Sequence, residues 1–74
     1  MENYMNLSGK SGVIAYEIGG DFIKVKFRGG SIYTYTYKIS GCIQVDTMKH
    51  LAESGEGLST FISREVKKNY AAKE

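Results

Sequence analysis

The chain has 74 residues, which leaves room for one domain and for only a modest core. Its composition is 42% hydrophobic with six tyrosines and three phenylalanines, which excludes a disordered chain, and a single cysteine excludes a disulfide framework. Ten basic and eight acidic residues give a net charge of +2, so any nucleic-acid role has to be argued from where the charges lie and not from their sum.

Residues 1–10 are polar and rich in turn formers and read as a flexible lead-in; residues 11–74 read as the single domain. They contain no signal-like apolar run, and no segment approaches the ~20 apolar residues of a membrane span. With the lone Cys42, this points to a reducing, cytoplasmic setting and to no membrane partner.

From residue 12 to 39 the pattern has period two and is interrupted twice by paired glycines: GVIAYEI, Gly19-Gly20, DFIKVKF, Arg28, Gly29-Gly30, SIYTYTYKI. Paired glycines between β-rich runs mark hairpins, so three antiparallel strands in a meander are expected. A two-residue Gly19-Gly20 loop sets Ile18 opposite Asp21, Tyr16 opposite Ile23 and Ile14 opposite Val25. A three-residue Arg28-Gly29-Gly30 loop sets Phe27 opposite Ser31, Val25 opposite Tyr33 and Ile23 opposite Tyr35. Facing residues share a sheet side, and this register gathers Ile14, Tyr16, Ile23, Val25, Phe27, Tyr33, Tyr35 and Tyr37 on one face. Those tyrosines are therefore read as core, with hydroxyls free to reach a rim.

KISGCIQV, residues 38–45, is either a short extra strand or a loop with Ile43 and Val45 tucked in. VDTMKHLAESG places Met48, Leu51 and Ala52 at helical spacing, with Asp46 suited to the N-cap and Gly55 to the C′ position. LSTFISREVKKNY places Leu58, Phe61, Ile62, Val66 and Tyr70 on one stripe, with Ser59 suited to cap it. The expected fold class is α+β, a three-stranded antiparallel meander packed on one face by two C-terminal helices. The tyrosines would then meet Phe61, Ile62 and Val66.

Catalytic chemistry finds little support. Cys42 and His50 occur once each and lack a third group to orient them, so no catalytic residue is assigned. One cysteine and one histidine cannot complete a zinc site, and Glu17, Asp21, Asp46, Glu53, Glu56 and Glu65 are scattered; no metal and no cofactor is expected. GEGLST before the last helix faintly suggests a phosphate loop, but it follows a helix and carries Glu56, so a helix connector is the better reading.

The basic residues are more informative. The register puts Lys24, Lys26 and Lys38 on the sheet face opposite the tyrosines, with Lys24 beside Thr34, Lys26 beside Ile32 and Arg28 at the hairpin tip. Arg64, Lys67 and Lys68 add charge on the last helix. Such a surface can hold phosphates non-specifically; it is equally the ordinary solvated back of a half-buried sheet. Val13, Phe22 and Ile32 fall on the same outer face and give a partner some apolar area.

In order along the chain, YE, IKVKF, GG, YTY, LAESGEGLSTFI and the closing NY resemble the KTSC domain over about residues 11–70. That family is named for a segment at the C-terminus of some lysyl-tRNA synthetases and also occurs as free-standing small bacterial or phage proteins. Its hallmarks would fall on Tyr33 and Tyr35, or Tyr35 and Tyr37, on the Ser54-Gly55-Glu56-Gly57 linker and on Phe61. The chain departs from the pattern in having no proline after the tyrosines and in the added length of Ser40 to Val45. The resemblance implies a small domain whose family has no established function, and attachment to a tRNA enzyme suggests RNA as partner. The resulting expectation is a binding module for RNA or another phosphate-bearing ligand through the basic sheet face. The alternative is a protein-interaction or weakly self-associating module that uses a sheet edge or the Phe22/Ile32 surface.

Overall fold

A computed structural model describes residues 1–66 and 68–74. In chain order it shows β1 (Glu2–Asn3), β2 (Val13–Ile18), β3 (Phe22–Phe27), β4 (Ile32–Thr36), α1 (Tyr37–Ser40), α2 (Cys42–Ser54), α3 (Leu58–Phe61) running into a π-helical turn (Ile62–Val66), and β5 (Ala72–Lys73). The class is α+β with helices packed on an antiparallel sheet. That sheet has five strands in the order β1-β2-β3-β4-β5 and not the three expected. The two added strands are two residues long, too short to show any alternation, and are held by backbone pairing of Glu2 with Tyr16 and Tyr33 with Lys73. The strands read as edges in the sequence, β2 and β4, are therefore each paired over two residues on their outer side.

The second hairpin has the expected register, Val25 opposite Tyr33 and Ile23 opposite Tyr35, with Phe27 donating its amide to Ser31 at 2.8 Å. The loop glycines Gly29 and Gly30 have φ of 102° and 98°, which side chains rarely adopt. The first hairpin differs. Its turn is Gly20-Asp21, with Gly19 donating to the Phe22 carbonyl at 2.9 Å and Ile18 opposite Ile23. The Phe22 ring lies over Gly19, where a Cβ would meet it at 1.9 Å, so a side chain there would push the ring aside. A shift of two residues keeps Tyr16, Ile23 and Val25 on one face, as expected.

A β-bulge reverses one part of that face. Val13 pairs with Phe27 and Ala15 with Lys26, leaving Ile14 as the extra residue. Val13 turns inward and is 0% exposed, whereas Ile14, expected inside, is 39% exposed. The core also takes in Tyr4 from the expected lead-in. Its hydroxyl accepts the Leu58 amide at 3.3 Å, so a residue 54 positions away satisfies one of the free N–H groups at the start of α3. Gly57 occupies the N-cap, and Ser59, expected there, lies within α3.

Residues 38–45 are helical and not a strand or loop. Thr36 ends β4 and caps α1, its side chain accepting the Ile39 amide at 3.2 Å. After Gly41, α2 begins at Cys42, so Asp46 lies inside the helix instead of capping it. Val45 is buried with Met48 and Ala52, while Ile43 is 79% exposed. Gly55 ends α2 as expected, with φ 82° and its amide on the Leu51 carbonyl. Leu7 donates to the Gly55 carbonyl at 2.7 Å, and a Cβ on Gly55 would stand 2.7 Å from that of Met5.

Tyr35 is the largest fully buried side chain, at 1% exposure. Tyr35→Ala should cost about 3–5 kcal/mol, measured as a fall in the urea midpoint at constant m-value. Gly55→Ala should cost more than ~1 kcal/mol through the positive φ alone, before its clash with Met5.

Candidate functional site

The structure distributes the expected basic residues. Lys24 and Lys26 stand on the outer sheet face, Lys24 between Glu17 and Thr34 and Lys26 between Ala15 and Ile32. Lys38 is on α1 because β4 stops at Thr36, so it leaves their row. Arg64 is exposed on the π-helical turn, Lys67 lies outside the described residues, and Lys68 is exposed on the other side of the sheet, beside the aromatic side chains. Glu17 opposite Lys24 further dilutes the positive charge of the outer face.

The three tyrosines of the YTYTY run also part company. Tyr35 is buried as expected. Tyr37 has left the strand: its hydroxyl donates to Asp46 Oδ1, while Lys49 Nζ lies 3.3 Å from that hydroxyl and 4.9 Å from the ring centre. Lys49 Nζ also donates to the Gly20 carbonyl at 3.1 Å, so this polar cluster fastens α1 and α2 to the first hairpin. Tyr33 is half-buried, because the helices stop short of it.

Around Tyr33 a groove of about 700 Å³ opens on the helix-bearing side of the sheet. Its aromatic wall is Phe27, Tyr33, Tyr35 and Tyr70. Phe27 and Tyr70 meet Tyr33 edge to face with centroids at 5.3 and 4.8 Å, and Tyr35 lies nearly parallel to Tyr33 at 6.5 Å. These are the preferred geometries of aromatic pairs. Arg28, Lys68 and Lys73 supply the charge, and among the described residues no lining residue is acidic. Lys73 Nζ sits over the Tyr33 ring, 5.4 Å from its centre. The sequence reading missed this site because it depends on β5: pairing Lys73 with Tyr33 brings a C-terminal cation onto a mid-chain ring. The signal present was Arg28 immediately after Phe27, at the tip of a hairpin whose next inward residue is Tyr33.

At the β1–β2 edge of the sheet, Glu2, Glu17 and Glu53 surround a smaller recess beside Tyr16. Burial, and then the carboxylates of Glu2 and Glu53, raise the Tyr16 hydroxyl above the usual phenol range. Cys42 and His50 both lie on α2, about 12 Å apart along the helix axis, and do not form a nucleophile–base pair. Among the described residues no group of three metal-ligating side chains converges, and no helix is long and apolar enough to cross a membrane. Comparison with known proteins gives no family model, no curated protein and no solved structure that matches the chain.

Burial, followed by the neighbouring Tyr33 and Tyr70, pushes the Tyr35 hydroxyl up to about 12. The unfolded chain would release that proton near pH 10, so the stabilisation is complete below pH 10 and is lost as pH rises towards 12. An alkaline titration of the urea midpoint should show a loss of about 2–3 kcal/mol from this group across that window. Tyr35→Phe should flatten the slope, leaving a residue of the same sign from Tyr16.

Proposed function

We propose that the chain is a non-enzymatic binding module for a phosphate-bearing ligand, RNA foremost, and that the ligand sits in the cationic groove and not on the outer sheet face. The observation that carries this reading is the convergence of Arg28, Lys68 and Lys73 on an open aromatic recess lined, among the described residues, by no acidic one. Cations so placed attract phosphates, and the recess adds contact area that a flat lysine patch lacks. Membership of the KTSC family belongs to the same proposal and rests on the sequence motifs; the RNA that family suggests is consistent with a groove of this charge.

A second reading, self-association, is favoured by Ile39 and Ile43, which stand 51% and 79% exposed on either side of Gly41. Sedimentation velocity at high micromolar concentration distinguishes the two. Self-association through this patch should disappear in Ile43→Lys, while ligand binding persists.

For the main reading, RNA binding is measured at two salt concentrations. Arg28→Glu with Lys68→Glu should weaken binding and lower the salt slope by roughly 0.7–0.9 for each phosphate that is no longer neutralised. Lys24→Glu with Lys26→Glu should leave binding nearly unchanged. The reverse pattern would transfer the site to the outer face, and a wild-type chain that fails to bind at low salt would remove the nucleic-acid reading.

A further inference from the structure

We infer that the groove takes an unpaired nucleotide: a base stacks on Tyr33, within the frame of Phe27 and Tyr70, while the flanking phosphates lie on Arg28, Lys68 and Lys73. This rests on the phosphate-binding reading above and adds the chemical class of the strand, since phosphate attraction alone makes no distinction between single-stranded, duplex and base-free polyanions.

Three observations carry it. The first is the partial exposure of Tyr33, Phe27 and Tyr70 next to a fully buried Tyr35. Tyr35 anchors the cluster, so the outer rings form a rigid wall that needs little ordering before a base arrives. The second is the position of Lys73. Its ammonium rests over the Tyr33 ring on a two-residue edge strand whose residues are both exposed. A cation over an aromatic face marks that face as reachable and electron-rich. A base taking that place frees the ammonium to swing to the adjoining phosphate, so one movement exposes the ring and completes the charge clamp. The third is the size of the recess, which lies within the range of small-ligand sites. It admits a base splayed from a single strand, whereas bases within a duplex present no free face.

A peptide fits less well. Strand addition needs a run of unpaired backbone, but on this side β4 is already satisfied and the edge strand β5 is only two residues long. Thr34 accepts the Ala71 amide at 2.7 Å, and Ile32 exchanges bonds with Glu74 at 3.0 and 2.7 Å. An acidic peptide would use the cations and leave the aromatic wall unmatched.

The test uses the whole chain at low salt and four probes of matched charge: a uridine-rich RNA octamer, the same backbone without bases, a blunt duplex and an oligoglutamate peptide. The octamer should bind about tenfold tighter than the base-free strand, as expected when even one base stacks. The ring-proton NMR signals of Tyr33 and Tyr70 should shift with the octamer and not with the base-free strand. Tyr33→Leu should bring octamer binding down to the level of the base-free strand. The wild-type ring signals keep the test independent of whether that variant folds. Equal binding of the octamer and the base-free strand overturns the nucleotide site and leaves the phosphate reading standing. Failure of all four probes overturns both. Tighter binding of the duplex or the peptide, or binding of the octamer with unmoved ring signals, also overturns the proposal.

Discussion

Thr36 accepts the Ile39 amide through its side chain, and the sheet stops there. Much of the rest depends on that switch from strand to helix. Had β4 continued, Tyr37 would have extended the inward row of Tyr33 and Tyr35 and Lys38 the outward row of Lys24 and Lys26. Instead Tyr37 opens α1 and locks onto Asp46 and Lys49, and the chain turns at Gly41 into α2. The helix is then fastened to the first hairpin through Lys49 and Gly20 and covers Ile23, Val25 and Tyr35, not the whole tyrosine face.

The groove follows from that limited cover. Thirteen residues of α2 reach about 20 Å, and Leu58, Ile62 and Val66 add a second buried line at intervals of four. Together they close over the middle of the sheet. Phe27 and Tyr33 lie past that cover, and the returning chain brings Tyr70 and Lys73 against them without sealing the site. A domain with so little core would ordinarily hide these rings; the aromatic network lets them stay half-exposed in well-defined positions.

The sequence carried the β3–β4 register, since Val25 with Tyr33 and Ile23 with Tyr35 could be read from alternation and a glycine pair; for β2–β3 it carried the face and missed the register by two residues, because such a shift leaves each side chain on the same side. It was silent where the backbone alone decides. Glu2–Asn3 and Ala72–Lys73 join the sheet through main-chain bonds that no pattern of two residues announces. The bulge at Ile14 exchanged that residue with Val13, since both are apolar and β-branched and either fits the inner face. Residues 38–45 were unreadable because the cap on α1 is a strand threonine and that on α2 a glycine, so neither start stands out. For the site, Lys73 was not among the candidates, and the grouping was legible only in part. Lys68 belonged to the candidates; its neighbours Arg28 and Lys73 reach it only through the fold.

A net charge of +2 conceals a separation of opposite charges. Glu2, Glu17 and Glu53 gather on the β1–β2 side, and Arg28, Lys68 and Lys73 on the β4–β5 side. Because the strands lie in chain order, these sides are the two ends of the sheet, with edge strands about 19 Å apart at ~4.8 Å per step. Taken by themselves, these six charges form a dipole whose positive end is the groove. For the proposed polyanionic ligand, that separation would contribute a torque turning the groove forward before contact. That orienting reach is set by the Debye length, about 8 Å at physiological ionic strength and about 30 Å at 0.01 M. On the proposed function, salt would therefore govern how often an encounter begins in the right orientation, separately from how firmly the ligand is held.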